Sequence, residues 1–451
     1  MKLRCSQFGR SLAALGLLAT MLAGSAQAET NGPFGIGNLL GGLIAPAANA
    51  DQADTDKAAQ KAAQAKAETA LLDQLTPNDL FLSLEAAQRL QEAIGAYQEI
   101  TSAGGWPSLK KGTTLHLGDQ DELVPLLRRR LRITGDWSGK ADSSDWSFDE
   151  RTQTALMHFQ RRHGLMPTGI LDVRTVNALN VPAEQRLAQL RSNLVRMQEI
   201  VNRGLPDRYV MVNAAAMELQ AIDEGRIALK SRVIVGRLER PTPFVAARIQ
   251  GLNFFPFWNV PESIAAKDLR QHMVKEPNYL VNEHIRALAT PGDAEVPLES
   301  IDWNQPLLEN IRFRQDPGDF NALGLVRIDM PNPDNVYMHD TPLKDLFRRP
   351  VRAFSAGCVR VHRIFDLVTW IASTNGDWDR ARVDSVLGSG LATDVKLVKP
   401  INVYFIYQTA WVDTEIGVSF RNDIYGRDGA ESGQGGGREP GEPLPTQGLA
   451  P

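Results

Sequence analysis

The sequence is poor in cysteine, and this shortage excludes several classes of protein. Its 451 residues include two cysteines, Cys5 and Cys358. A disulfide scaffold needs several cysteine pairs, and structural zinc sites need cysteines or histidines at short, regular spacing. The seven histidines are scattered, and neither a His-Glu-x-x-His sequence nor a closely spaced cysteine pair occurs. We therefore expect no cofactor and no metal site, and Cys358 stands out as a candidate reactive thiol.

Long apolar runs are also scarce, and the start of the chain is the exception. Three basic residues precede an apolar stretch at residues 12–19, and small residues follow at positions 26–28. This order predicts a secretory signal peptide at residues 1–28, whose cleavage would remove Cys5. No other stretch approaches the roughly 18 uninterrupted apolar residues that a membrane-spanning helix requires. We therefore predict an exported protein with no stable membrane insertion after signal cleavage.

An excess of positive charge is missing as well. The formal net charge is −4 at pH 7, and cleavage of the predicted signal peptide would remove three basic residues and no acids. Binding to the phosphates of nucleic acids needs a strongly basic patch, so we expect no nucleic-acid partner. The basic runs at residues 128–130 and 161–162 are interpreted as solvated helix faces.

The spacing of apolar residues divides the chain into helical and β-rich parts. Helical spacing at residues 70–112 and 183–206 predicts two parts of a helical scaffold, and three shorter helices are predicted within residues 113–182. From residue 207 the pattern changes to strands joined by turns, which predicts an antiparallel, sandwich-like sheet over residues 207–408. The interruption at residues 264–323 predicts a lid or subdomain, because bare loops of this length are uncommon in compact domains.

Composition predicts weaker order near both ends. Residues 29–69 are rich in alanine, glycine, glutamine and lysine, which predicts a flexible tether. Residues 409–427 keep aromatic and apolar side chains and are expected to pack back on the fold as a C-terminal extension. Residues 428–451 are rich in glycine and proline, which predicts a disordered tail.

Cys358 lies in a setting suited to nucleophilic catalysis. Gly357 precedes it, Arg360 follows it and His339 lies upstream, so a thiol, a base and a cation are available. The thiolate is the attacking species, and a free cysteine with a pKa of about 8.5 needs a base or a cation near neutral pH. A glycine lets the backbone approach a substrate carbonyl, so the N–H groups of Gly357 and Cys358 can face a developing oxyanion. Arg360 has two open roles, which are orientation of a substrate carboxylate and pairing with an acid such as Asp366.

The residues around Cys358 resemble a known family signature. Tyr337-Met338-His339 and Ser355-Ala356-Gly357-Cys358-Val359-Arg360 are similar to the motif of the L,D-transpeptidases, bacterial enzymes that cross-link peptidoglycan through an acyl-cysteine. The resemblance implies Cys358 as the nucleophile and His339 as the base. Many members carry a second histidine where this chain has Ala356, whereas a subgroup of large, multi-domain members has a small residue there. The remaining site candidates are Ser355, Gly357 and Arg360 for oxyanion and site support, and Tyr337 and Trp258 for the substrate pocket.

A second resemblance concerns the helical part of the chain. Leu117-Gly118-Asp119 and the segments 159–165 and 168–172 resemble the peptidoglycan-binding helical module. This implies either glycan binding or a spacer role for residues 113–182. The transpeptidase resemblance places the catalytic domain at residues 207–408 and implies that the insertion at residues 264–323 caps the active site. We therefore expect an α+β fold with a β-rich, sandwich-like catalytic domain, a helical scaffold and a three-helix module.

These features together predict an exported L,D-transpeptidase of the periplasm or cell-wall space, with a role in cell wall organisation and cell shape. The expected donor is a tetrapeptide stem of peptidoglycan, and the expected acceptor is the side-chain amine of a diamino acid. Two alternatives stay open, namely a peptidoglycan cysteine peptidase that uses water and a non-catalytic cell-wall-binding protein. The sequence also leaves open whether the product is a cross-link, an exchanged D-amino acid or an anchored protein.

Overall fold

The structure, a computed structural model, describes residues 69–72, 79–139, 144–306 and 310–428. The predicted signal peptide, the tether up to residue 68 and the tail beyond residue 428 lie outside the described residues. None of the helices in the described part of the chain is long and apolar enough to cross a membrane.

Helices make up most of the described chain before residue 207. They are α1 (Leu84–Ser102), α2 (Leu123–Ile133), α3 (Glu150–Arg162), α4 (Val173–Leu179) and α5 (Ala183–Val201). Ser83, Asp149 and Asp172 cap α1, α3 and α4, because each side chain accepts a hydrogen bond from a backbone N–H of the first turn. Helices α2, α3 and α4 surround a core that includes Leu127 and Leu156. Helices α1 and α5 share a second core with the sheet.

Strands dominate the chain from residue 208 onward. In chain order they are β1 (Arg208–Asn213), β2 (Glu218–Asp223), β3 (Arg226–Gly236), β4 (Val245–Phe254), β5 (Trp258–Asn259), β6 (Ile285–Ala289), β7 (Ile311–Gln315), β8 (Val326–Asp329), β9 (Met338–His339), β10 (Ala353–Ser355), β11 (Val359–Val361), β12 (Thr393–Ile406), β13 (Ala410–Asp413) and β14 (Gly417–Phe420). The intervening helical segments are α6 (Glu262–Ile264), a π-helical turn (Ala265–Leu269), α7 (Arg270–Lys275), α8 (Tyr279–Asn282), α9 (Ile364–Ala372), α10 (Arg380–Ser389) and 3₁₀ turns at Leu298–Ser300 and Lys344–Arg348.

The main sheet closes on itself. Its strand order is β10-β3-β11-β9-β8-β4-β12-β1-β2, and β2 also pairs with β3, so the strands from β3 to β2 form a hydrogen-bonded ring. The prediction of an α+β fold with a β-rich catalytic part is confirmed. The prediction of an antiparallel sheet holds for six of the nine pairings of the main sheet. It is wrong for the other three, because β1 with β12, β9 with β11, and β3 with β10 are parallel. Parallel neighbours need a long connection, and between β9 and β11 a 3₁₀ turn and β10 supply it.

Both faces of this sheet are covered, as β1 illustrates. Val210 and Val212 face one core, which also contains residues of α9 and α10. Tyr209 and Met211 face the opposite side and pack with α1 and α5. Successive side chains of a strand point to opposite faces, so a strand buried on both faces has an unbroken apolar sequence.

The insertion in the catalytic part forms a small subdomain with its own core. Strands β5, β7 and β6 make a three-stranded sheet in that order. Its apolar residues pack against α7 and α8, with Leu269, Met273, Leu280 and Phe313 buried among them. The small sheet begins at Trp258, before the predicted start of the insertion at residue 264.

The interpretation of the basic runs as solvated helix faces is wrong for three of their arginines. Arg128, Arg130 and Arg162 are about 2% exposed or less. Arg162 forms an ion pair with the buried Asp136 and donates a hydrogen bond to the carbonyl of Val418 at 2.9 Å. These partners lie far away in the sequence, and burying an arginine requires such partners.

The residues after β12 pack against helices α1 and α5. Strands β13 and β14 form an antiparallel hairpin. Trp411 and Phe420 of this hairpin are buried in the core shared with α1 and α5. The ring of Trp411 meets that of Phe81 edge to face, with centroids 5.3 Å apart. The hairpin therefore joins the helices and the sheet through one apolar layer.

Candidate active site

Two neighbouring strands bring the candidate base and the candidate nucleophile to one place. Strand β9 carries His339, and the parallel strand β11 follows Cys358 directly. In their register His339 lies opposite Arg360. The N–H of Val359 donates to the carbonyl of Tyr337 at 2.9 Å, so Cys358 and Tyr337 lie at the same end of the strand pair.

His339 is buried and neutral. Its Nδ1 lies 2.5 Å from the backbone carbonyl of Asp340. A carbonyl oxygen only accepts hydrogen bonds, so Nδ1 carries the proton and Nε2 is the basic nitrogen. Burial and, after it, the positive charge of Arg360 lower the pKa of His339 to about 3. The imidazole is therefore in its basic form throughout the physiological pH range.

The thiol of Cys358 is half-buried and is not activated at rest. Burial raises its pKa, whereas the backbone N–H of Tyr337 and the charges of Arg360 and Arg327 act in the opposite direction. Within the described residues no hydrogen bond links Sγ of Cys358 to the imidazole of His339. Such contacts are often long in a substrate-free site and tighten when substrate binds.

Ser355 shapes the loop before Cys358. Its Oγ donates to the carbonyl of Cys358 at 2.5 Å and accepts from the N–H of Gly357 at 3.1 Å. Gly357 has a φ of 119°, a backbone conformation that residues other than glycine rarely adopt. The N–H of Gly357 is thus occupied, in contrast to the expectation that it faces an oxyanion. The N–H of Cys358 makes no hydrogen bond within the described part of the chain and is therefore a free donor in this loop.

Arg360 is a cation without an acidic partner. Among the described residues it forms no ion pair, and its Nε is buried without a hydrogen bond. Asp366 instead pairs with Arg363 and Arg380, each at 2.8 Å. The alternative that Arg360 pairs with Asp366 is therefore wrong. Burial lowers the pKa of Arg360, and the charge of the Cys358 thiolate acts in the opposite direction.

The two pocket candidates occupy different places. The ring of Tyr337 lies 6.1 Å from the imidazole of His339, and burial together with Cys358 raises the pKa of its hydroxyl to about 12. Trp258 lies in β5 and packs against the core of the insertion. Tyr337 is therefore a neighbour of the reacting groups. The role of Trp258 in a substrate pocket stays a prediction.

The sequence analysis missed three residues that hold the site. Asp340 supplies the carbonyl that orients His339, and its carboxylate accepts from the N–H of Leu325 at 3.0 Å. Thr242 donates to the carbonyl of Gly357 at 2.8 Å. Tyr425 in turn accepts from the N–H of Thr242 at 3.3 Å. Asp340 directly follows the motif histidine, which was an available signal, whereas no local pattern connects Thr242 or Tyr425 with Cys358.

A histidine on one strand, a cysteine directly before the neighbouring strand and an arginine without an ion pair among the described residues form the arrangement that a cysteine nucleophile would need. Residues 207–392 match the family model of the L,D-transpeptidase catalytic domain. Residues 120–179 match the model described as "Putative peptidoglycan binding domain". The resemblances predicted from the cysteine motif and from the helical module are therefore confirmed. This chain carries an L,D-transpeptidase catalytic domain and a domain of the peptidoglycan-binding type.

Individual proteins also resemble this chain. A Haemophilus influenzae protein named "Putative L,D-transpeptidase" is 36% identical over 231 residues, which are 50% of this chain and 46% of that protein. The chain thus spans about half the length of this relative. A solved L,D-transpeptidase from Xylanimonas cellulosilytica has 14% identity and a TM-score of 0.19, covering 66% of this chain and 99% of that one. One from Stackebrandtia nassauensis has 12% identity and a TM-score of 0.22, covering 66% and 97%.

Two buried histidines should make the stability of the fold depend on pH. Burial lowers the pKa of His339 to about 3 and that of His163 well below 6.5. The unfolded chain then binds protons more readily than the folded chain, so stability is fully present above about pH 6.5 and falls as the pH drops towards 3. Each histidine should contribute up to about 1.4 kcal/mol per pH unit in this window.

Urea unfolding between about pH 7.5 and pH 5 measures this slope. His163→Gln should make it shallower by the share of one histidine. His116→Gln is the control for replacement of a histidine at an exposed position, since the side chain of His116 is 59% exposed. An equal slope in the His163 variant and the parent would contradict the prediction.

Proposed function

We propose that this protein is an exported L,D-transpeptidase that remodels peptidoglycan through an acyl-cysteine. The observation that carries the proposal is that a neutral His339 lies on β9 and that Cys358 directly precedes the parallel strand β11, inside the segment that matches the catalytic domain. A neutral imidazole and a protonated thiol are the two partners that general-base activation of a cysteine requires. Export to the periplasm or cell-wall space rests on the predicted signal peptide and on the location of peptidoglycan.

In this mechanism Sγ of Cys358 attacks the carbonyl of a peptide bond between an L-centre and a D-centre of a tetrapeptide stem. Nε2 of His339 takes the thiol proton and returns it to the leaving amine, so the terminal D-residue departs and a thioester remains. The side-chain amine of a diamino acid then attacks the thioester, which forms the new amide bond and frees the thiol. The N–H of Cys358 stabilises the oxyanion in both steps.

Arg360 supports recognition of the donor. Arg360 is half-buried and has no acidic partner among the described residues, so a carboxylate brought to the site would meet an uncompensated positive charge. The terminal D-residue of a tetrapeptide stem carries such a carboxylate. Charge-assisted pairing of arginine with a carboxylate is strong and directional. We assign Arg360 to the orientation of the donor.

The domain at residues 120–179 supports peptidoglycan as the partner. Glycan binding by this domain and a spacer role both remain compatible with its helical core. The insertion supports transfer to an amine, because a subdomain beside the active site can exclude water from the acyl-enzyme. A peptidase that uses water and a non-catalytic wall-binding protein are the two alternative outcomes.

Incubation with a purified disaccharide tetrapeptide, followed by mass spectrometry of the products, tests the proposal. Cross-linked dimers with release of the terminal D-residue are expected. Tripeptide as the sole product would identify water as the acceptor and the protein as a peptidase. Unchanged substrate, together with retention on insoluble peptidoglycan, would favour the non-catalytic alternative.

An ion-pair cluster ties the insertion to the core near the site. Asp268 of the π-helical turn lies 2.7 Å from Arg240 and 3.5 Å from Arg237, both in the connection after β3. We expect Asp268→Asn to loosen the insertion and to lower the ratio of dimer to hydrolysed tripeptide by about threefold, because a partly exposed ion pair contributes up to about 1 kcal/mol.

The matched control is Asp316→Asn. Asp316 pairs with Arg286 in the same insertion, and the exposed fraction of its side chain, 36%, equals that of Asp268. This control should leave the product ratio unchanged. The role of the insertion in excluding water would be refuted if both variants gave the parent's ratio.

A further inference from the structure

The peptide bond between Gly357 and Cys358 has a fixed orientation that the reaction needs. A trans peptide is planar, and its C=O and N–H point in opposite directions. The N–H of Cys358 has no acceptor among the described residues, and its direction is set by whatever holds the carbonyl of Gly357. Oγ1 of Thr242 donates to this carbonyl at 2.8 Å.

Without a holder this peptide plane would turn easily. Gly357 has a φ of 119° and no side chain to restrict rotation of the plane that follows it. If the plane turned over, a carbonyl oxygen would face the position of the oxyanion and would repel it. Ser355 binds the N–H of Gly357 and the carbonyl of Cys358, which belong to the two adjacent planes. The orientation of the Gly357–Cys358 peptide plane, which lies between those two, therefore depends on the hydrogen bond from Thr242.

Thr242 is itself held in one orientation. It is fully buried, and its Oγ1 accepts from the N–H of Gly236 at 2.9 Å, which directs its own hydroxyl proton to Gly357. Its N–H donates to the hydroxyl of Tyr425, which donates to the carbonyl of Gly236 at 2.6 Å. The backbone of Gly236 and that of the segment before Thr242 lie close together, because a Cβ at Gly236 would lie 2.1 Å from the carbonyl oxygen of Arg240. Residues from β3 and from the C-terminal extension thus hold one hydroxyl.

We propose that Thr242 is a positioning residue that aims the N–H of Cys358 at the oxyanion. The inference rests on the proposed function for the identity of the substrate, but its physical content concerns any attack of Cys358 on a carbonyl. Thr242 does not touch the substrate in this scheme and acts through the Gly357–Cys358 peptide. Its loss should therefore slow carbonyl attack and spare reactions of the thiol that form no oxyanion.

Two reagents separate these reactions in the full chain carrying Cys5→Ser, where Cys358 is the remaining thiol. With p-nitrophenyl acetate, Sγ attacks the ester carbonyl, a thioester forms and p-nitrophenolate leaves. With iodoacetamide, Sγ displaces iodide at a saturated carbon and no oxyanion arises. We expect Thr242→Val to slow acetylation by about 10-fold to 100-fold and to leave alkylation within about twofold. This loss is smaller than the roughly 10²-fold to 10³-fold loss on removal of an oxyanion donor, because the N–H is misdirected and not removed.

Three further variants complete the test. Thr242→Ser keeps the hydroxyl and should acetylate within about threefold of the parent. Tyr425→Phe removes a support of Thr242 and should slow acetylation by about threefold without slowing alkylation, which provides a readout if the valine variant does not fold. Thr175→Val removes another buried hydroxyl, in α4, and should change neither rate.

Equal losses in both reactions would show that Thr242 has a structural role only, and an unchanged acetylation rate would show that the peptide needs no holder. Either result overturns the proposal. The proposed function fails separately, through the tetrapeptide assay. A parent protein that acetylates normally but leaves the tetrapeptide intact would refute the transpeptidase and keep the role of Thr242.

Discussion

Cys358→Ala is expected to abolish transfer, with a loss of about 10⁴-fold or more in the rate of dimer formation, because removing a covalent nucleophile leaves only binding and oxyanion stabilisation. The same variant should not react with a carbapenem. In the parent, Sγ opens the strained lactam amide, a thioester forms and no atoms leave, so the intact mass should rise by one drug molecule. The measurement is intact mass spectrometry of both proteins in the Cys5→Ser background.

Cys358→Ser is the matched variant for this experiment. A serine hydroxyl keeps the shape of the side chain but has a much higher pKa than a thiol, so a neutral imidazole activates it poorly. We expect no adduct within the time that saturates the parent. Urea unfolding should show that both variants are folded, since each changes one small, half-buried side chain. An adduct that persisted in Cys358→Ala would identify a different nucleophile and overturn the mechanism.

Much of the catalytic part was predictable from short-range pattern. The unbroken apolar sequence from Tyr209 to Val212 indicates a strand, and the structure explains the sequence by burial on both faces. The pairing of that strand was not predictable in the same way. β1 lies parallel to β12, from the far end of the domain, and the strands close into a ring, which are properties of long-range contacts.

The burial of arginine side chains was also not predictable from nearby residues in the sequence. Arg130 and Arg162 look like solvated residues of basic helices, because in sequence no acid stands beside them. In the fold Arg130 stacks on Trp106, with its guanidinium 3.9 Å from the ring centroid, and Arg162 meets Asp136. The compensation comes from an aromatic face and an acid that only folding brings near.

The same distinction between local pattern and long-range contact applies to the residues of the site. A motif of residues close in sequence pointed to His339 and Cys358, and the structure places them at adjoining strands, with their catalytic roles still predictions. Thr242 was not among the predicted site residues, because its hydrogen bond to Gly357 spans 115 residues of sequence. Arg360 was recognised, but only the structure separates its two possible roles, since Asp366 already has two partners.

The second large effect is expected from His339→Gln, which should lower the rate of acylation by the tetrapeptide donor about 10²-fold to 10⁴-fold at neutral pH. Glutamine approximates the size of the imidazole but has no basic nitrogen. The carbonyl of Asp340 fixes the tautomer, so Nε2 is the atom whose loss matters. Without it, only the small fraction of Cys358 that is already ionised can attack, and burial keeps that fraction low by raising the pKa of the thiol.

The dependence of the rate on pH distinguishes this role from a structural one. In the parent the pKa of His339 is about 3, so the base is fully available from about pH 5 to 8 and the rate should change little over this range. In His339→Gln the rate should follow the thiolate and rise about tenfold per pH unit below the pKa of Cys358. His362→Gln, at an exposed histidine beyond the motif, should keep the parent's profile. A flat profile with an unchanged rate in His339→Gln would mean that another group takes the thiol proton.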